Sequence, residues 1–131
     1  MYFKQATGHQ GMKPMASAKY FREDVETMDR GALNDLIDDR VRYTIQYAHE
    51  HSPFYKKWFS GHRIDPAAIK THEDLLKLPV IAGADIRSHQ PPVTEEFLFR
   101  SAAWEDIFTI HETSGTSGIP KSFFLTWEDW E

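Results

Sequence analysis

Apolar residues in the first half of the chain return at helical spacing, whereas in the last thirty positions they cluster as strands do. Leu33, Leu36, Ile37, Val41, Ile45 and Ala48 recur in steps of three and four, laying one apolar stripe along a helix. Asp29 offers an N-cap, and the pattern predicts a long helix from there to about His51. Ser52 then caps a shorter helix with Pro53 at its first position, where no N–H is needed. Phe54, Tyr55, Trp58 and Phe59 give that helix an aromatic face, taken as core, and Gly61 is expected to end it. Asp65-Pro66 starts a short helical turn. Thr71 starts the next, with Asp74 at capping-box spacing, Leu75, Leu76 and Leu78 as its apolar side, and Pro79 as its stop. A further short helix is predicted over 84–88, after which Pro91-Pro92 imposes an extended path.

From Phe97 the texture changes. Phe97, Phe99, Trp104, Ile107, Phe108 and Ile110 predict extended, partly buried segments, with one strand over 106–111 and another over 122–126. Thr126 and Asp129 repeat the cap pair, and the chain stops inside what reads as the first turn of a helix. One turn cannot sustain a helix alone, so a piece of a longer protein is expected. Residues 1–19 carry Gly8, Gly11 and Pro14 without any period and are expected to be a flexible leader, with 20–131 as the folded segment. The fold class that follows is α/β, or α+β within this stretch alone.

Between the two strands lies Thr113-Ser114-Gly115-Thr116-Ser117-Gly118-Ile119-Pro120-Lys121. Glycine admits backbone conformations closed to other residues and lets a ligand approach closely. Successive N–H groups in such a turn can converge on an anion, and the hydroxyls and Lys121 add donors and positive charge. A Walker loop is a poor match: Gly115 to Ser122 lacks its second glycine, and the residues after Lys121 predict a strand, not a helix. An ordinary Ser/Gly surface turn remains the alternative from composition alone.

Charge and cysteine content narrow the classes. The 131-residue chain has a formal charge of −5 and no cysteine. It carries no basic footprint for nucleic acid and cannot form a disulfide or a thiolate metal site. No apolar run approaches the ~20 residues of a membrane span, and no secretory hydrophobic region opens the chain, so a cytoplasmic location is expected. His49 and His51 stand two apart and point to different helix faces, which argues for solvated or capping roles and against a metal pair. His111 is read as a positional residue beside the loop and Glu112 as solvated, with no second histidine to complete a zincin motif.

The order of residues from Thr113 to Lys121 resembles the phosphate-binding signature of the AMP-forming adenylate ligases, the acyl- and aryl-CoA synthetases. Ile110-His111-Glu112 is similar to the lead-in of the phenylacetate-CoA ligase branch, which also contains coenzyme F390 synthetases. Tyr47-Ala48-His49-Glu50-His51-Ser52-Pro53-Phe54-Tyr55, Glu73-Asp74-Leu75-Leu76-Lys77-Leu78-Pro79 and Asp85-Ile86-Arg87 resemble segments of the same branch, in the same order. The likeness covers about residues 25–131, with Ser117 where threonine is commoner.

This resemblance implies the N-terminal portion of the large domain of an adenylate-forming ligase. It implies ATP with Mg²⁺, a phenylacetate-like carboxylic acid activated as its adenylate, and coenzyme A as acceptor. A cofactor hydroxyl on a deazaflavin, receiving AMP, is the alternative acceptor; a non-catalytic nucleotide- or anion-binding module is the other. Phosphate binding would fall to Thr113, Ser114, Gly115, Thr116, Ser117, Gly118 and Lys121. The family's adenine, Mg²⁺ and catalytic residues lie beyond Glu131, so the chain alone is expected to be inactive and to need the C-terminal part of the same protein. A homodimer stays open.

Overall fold

A computed structural model describes residues 19–115 and 118–130, and of Trp130 the backbone alone. The leader expected over 1–19, apart from Lys19, lies outside the described residues, as do Thr116, Ser117 and Glu131.

A four-residue helix α1 (Glu23–Glu26), not anticipated from the pattern, precedes the long α2 (Arg30–His51). Asp29 starts α2 as expected, its carboxylate accepting the N–H of Gly31 at 2.9 Å and Ala32 at 3.2 Å. Ser52 ends α2 and begins α3 (Pro53–His62) with no intervening loop. The serine is wholly buried: its hydroxyl accepts the Tyr55 N–H at 3.4 Å and donates to the Leu98 carbonyl at 3.0 Å. The predicted stop at Gly61 is wrong by two residues. Gly61 is helical with open space around it, and the left-handed position falls to Arg63 at φ 57°. The N–H of Arg63 closes on Ser60 and that of Ile64 on Phe59, a Schellman-type ending built without glycine.

Short 3-10 turns follow over Pro66–Ala68 and His72–Lys77. The Thr71–Asp74 box forms as read, with Thr71 Oγ1 accepting the Asp74 N–H and the Asp74 carboxylate accepting the Thr71 N–H. The expected apolar side does not. Leu76 is 89% exposed and Leu75 is also exposed, leaving Leu78 half-buried. Three residues per turn align 72, 75 and 78 in one row and swing Leu76 outward.

Helix α4 (Gly83–Ser88) begins one residue before its predicted span, and the Asp85 carboxylate accepts the Ala82 N–H at 2.7 Å. Pro91-Pro92 is not extended: the bond is cis, and the N–H groups of Val93 and Thr94 both close on the Gln90 carbonyl in a turn. Phe99 likewise sits in a turn, closed by the Arg100 N–H on the Phe97 carbonyl. Phe99 stacks on Phe54 with ring centroids 3.7 Å apart, and Phe97 meets Phe124 edge-on. Packing two aromatic rings against separate elements requires a bent chain here, which alternation alone did not reveal.

Both predicted strands form, the first shifted by one residue: Trp104–Asp106, expected to be extended, is a 3-10 turn, and β1 (Ile107–Glu112) pairs antiparallel with β2 (Ser122–Thr126), with an irregularity between Ile107 and Thr109. Among the described residues the sheet has these two strands. Thr126 and Asp129 cap α5 (Trp127–Trp130) reciprocally. The core is small, with Phe54, Phe59 and Ile69 buried around α3, while the stripe of α2 is half-buried along its length.

Candidate functional site

The β1–β2 hairpin sets the geometry. Glu112 pairs with Ser122, and one further rung joins Thr113 to Lys121. There the Thr113 N–H donates to the Lys121 carbonyl and the Lys121 N–H to Thr113 Oγ1, both at 3.0 Å. Gly115 at φ 69° and Gly118 at φ 106° take left-handed backbone, and the Gly118 N–H closes on the Gly115 carbonyl at 2.9 Å. A methyl at Gly115 would lie 3.0 Å from both the Gly118 carbonyl oxygen and Pro120 Cγ. Around the Cβ position of Gly118 there is open space, so a group can reach its backbone. Thr113 and Ser114 are exposed, and Thr116 and Ser117 lie outside the described residues.

Lys121 is half-buried and turns toward α4. Its Nζ lies 3.3 Å, and the Nη1 of Arg87 3.6 Å, from where a Cβ on Gly83 would stand. Two cations thus meet beside the first turn of α4, where positive charge is disfavoured and negative charge welcome. Among the described residues no ion pair engages either of them.

Gln90 escaped the sequence reading. It is 4% exposed; its Nε2 donates to the Pro120 carbonyl at 2.6 Å, and its Oε1 accepts the Ser122 N–H at 3.2 Å. A glutamine before a Pro-Pro pair carries no signal for a contact thirty residues away. Glu112, expected to be solvated, is exposed but accepts the Ser122 hydroxyl at 2.8 Å. His111 is exposed on β1, opposite Phe123. His49 meets Phe59 edge-on, while His51 stacks on Tyr47 and approaches its carbonyl, so each has its own neighbour.

Behind the hairpin opens a cavity of about 1170 Å³, lined by Tyr43, Tyr47, Tyr55, Phe99 and Arg100 with the inner face of β2. Burial pushes the phenols of Tyr47 and Tyr55 up, so both stay protonated at neutral pH. The Arg100 guanidinium lies 4.5 Å from the Trp104 ring centre. Elsewhere, hydrogen bonds from the ring and backbone of His72 hold the Asp38 carboxyl below its ordinary range, fastening α2 to the 72–77 turn.

No protein-family model matches the chain. It is 29% identical over 100 residues to a phenylacetate-coenzyme A ligase of Thermus thermophilus, covering 76% of this chain and 21% of that protein. The corresponding ligase of Aromatoleum evansii is 29% identical over 107 residues, 82% of this chain and 23% of the relative. Among solved structures, 2-hydroxyisobutyryl-CoA ligase in complex with 2-HIB-AMP and CoA superposes with a TM-score of 0.73 at 30% identity, over 92% of this chain and 25% of that one. An open conformation of the same ligase gives 0.73 at 28% identity. The chain is similar in sequence to phenylacetate-coenzyme A ligases and in fold to 2-hydroxyisobutyryl-CoA ligase. Its helices and short antiparallel sheet match the α/β fold of their adenylate-forming domain. It spans about a quarter of the length of these acyl-CoA ligases.

Backbone N–H groups, hydroxyls and an ammonium are the chemistry that suits phosphate oxygens, and the Cβ position of Gly118 faces open space. The loop offers no carboxylate for Mg²⁺, and among the described residues no group of three or more acidic or histidine side chains could hold a metal. No helix among them is long and apolar enough to cross a membrane.

Proposed function

We propose that the whole protein is an ATP-dependent, AMP-forming acid–CoA ligase, and that its 113–121 loop holds the β- and γ-phosphates of ATP. The observation that carries this reading is the loop itself. It has two left-handed glycines and flanking hydroxyls and closes on Lys121, in a chain related to CoA ligases. A carboxylate oxygen of the acid attacks the α-phosphorus of ATP, and the bond to pyrophosphate breaks. The thiol of coenzyme A then attacks the acyl carbon, and AMP leaves. In the first step Ser114, Thr116, Ser117 and the N–H groups of Gly115 and Gly118 would orient the leaving pyrophosphate, with Lys121 offsetting its charge. Thr113 would brace Lys121 through the rung they share. Mg²⁺ would arrive with the nucleotide. The relatives' phenylacetate makes an aryl-acetic acid the first substrate to try, and coenzyme A is preferred over a deazaflavin because the relatives named above are CoA ligases.

The test is acid-dependent exchange of pyrophosphate into ATP by the native protein at its full length in cells, followed by product analysis. Acyl-CoA with free AMP supports the ligase. AMP retained on a deazaflavin would replace it with the cofactor-modifying alternative, and phosphate binding without turnover would leave an anion-binding module. The 131-residue chain alone is expected to show no exchange, and exchange by it would sink the proposal that catalytic residues lie outside it.

A further inference from the structure

Lys121 is flanked by two backbone groups, the Pro120 carbonyl and the Ser122 N–H, and one buried side chain holds both. We propose that Gln90 is a positioning residue for the phosphate loop, its carboxamide bridging Pro120 and Ser122 so that Lys121 and the loop exit keep their nucleotide-binding arrangement. The proposal rests on the ligase reading above.

Three observations carry it. The carboxamide donates to Pro120 at 2.6 Å and accepts from Ser122 at 3.2 Å, with Gln90 only 4% exposed. A primary amide is among the few neutral side chains that can do both at once, acting as one residue of an extra strand along the edge of β2. Neutrality matters as much as reach: a carboxylate here would compete with phosphate for Lys121, whereas the amide leaves that charge available. Gln90 is in turn fixed from behind. Its carbonyl takes the N–H groups of Val93 and Thr94, its neighbour His89 takes that of Leu98, and Leu98 accepts from the buried Ser52 hydroxyl. The loop exit is therefore tied by hydrogen bonds to the α2–α3 corner. Helix α4 supports the same stretch twice, with Gly83 against the Lys121 amine at its start and Gln90 two residues past its end. Without the amide the buried Ser122 N–H and the part-buried Pro120 carbonyl lose these partners, and the loop spends less time in the arrangement that binds nucleotide.

The experiment uses the full-length protein, measuring pyrophosphate exchange across pH for wild type, Gln90→Leu, Gln90→Glu and the remote core variant Ile69→Ala. Expected for Gln90→Leu is a rise in KM for ATP of about tenfold, with KM for the acid and kcat within about twofold. Gln90→Glu should approach wild type below about pH 5, where the introduced carboxyl is protonated and can donate to Pro120, and should decline relative to wild type as it ionises. Ile69→Ala should lower stability but leave KM for ATP in place. Unchanged KM in Gln90→Leu, an equal rise in Ile69→Ala, or a Gln90→Glu profile parallel to wild type each overturns the proposal. A wild type without exchange sinks the ligase reading instead. Tripolyphosphate affinity by calorimetry then decides for Gln90, with equal or absent binding in wild type and Gln90→Leu counting against it.

Discussion

Gly115 sits at φ 69° with a backbone oxygen and a proline ring 3.0 Å from where a Cβ would be. Both terms oppose any side chain, because an L residue in the left-handed region costs about 1–2 kcal/mol before the crowding is added. Gly115→Ala is expected to distort the loop, to raise KM for ATP in the full-length protein if it is the proposed ligase, and to lower the melting temperature by the amount that strain implies. Ser52 is the opposite case, wholly buried and bonded to Leu98. Ser52→Ala should lower unfolding free energy by about 1–2 kcal/mol in a urea titration, since the helix cap goes and the Leu98 carbonyl keeps the Phe54 N–H but loses the hydroxyl.

At the level of elements, α2 is joined to the 72–77 turn by Asp38, whose carboxylate accepts from the Nδ1 and the backbone N–H of His72. These bonds depress the Asp38 pKa in the folded state. The stabilisation is thus present above the unfolded value of about 4 and is lost as pH falls through the lower folded value. Asp38→Asn should flatten the fall in stability on acidification below about pH 4, read from urea midpoints across pH. The same turn separates apolar pattern from burial. Leu76→Ala should change stability by no more than about 0.5 kcal/mol, whereas Phe59→Ala, at 1% exposure, should cost about 3–5 kcal/mol. Equal losses on thermal denaturation would mean that the outward turn of Leu76 is wrong.

Across the whole molecule, a small core of Phe54, Phe59 and Ile69 centres on α3, and Tyr43 and Tyr47 of α2 line one cavity with β2. The chain is about a quarter as long as its ligase relatives, and that cavity, of about 1170 Å³, opens behind β2. Hydrogen bonds from the Ser52 hydroxyl to Leu98, from the Leu98 N–H to His89 and from the Gln90 carboxamide to Pro120 link the loop exit to the α2–α3 corner.

What the sequence determined by itself was local. Asp29, Ser52, Thr71 with Asp74, and Thr126 with Asp129 marked helix starts because a capping side chain reaches its own backbone within three residues. The two strands and the glycine-rich loop between them were legible for the same reason, since turn chemistry and side-chain alternation act over a few positions. Tertiary structure alone decided the rest. Arg63 ends α3 in place of Gly61, Pro91-Pro92 turns where it was expected to extend, and Leu76 faces out, because each is set by what the neighbouring chain must reach. Gln90 was invisible until folding brought the end of α4 to the edge of β2, for a hydrogen bond across thirty residues leaves no periodic trace in the chain that makes it.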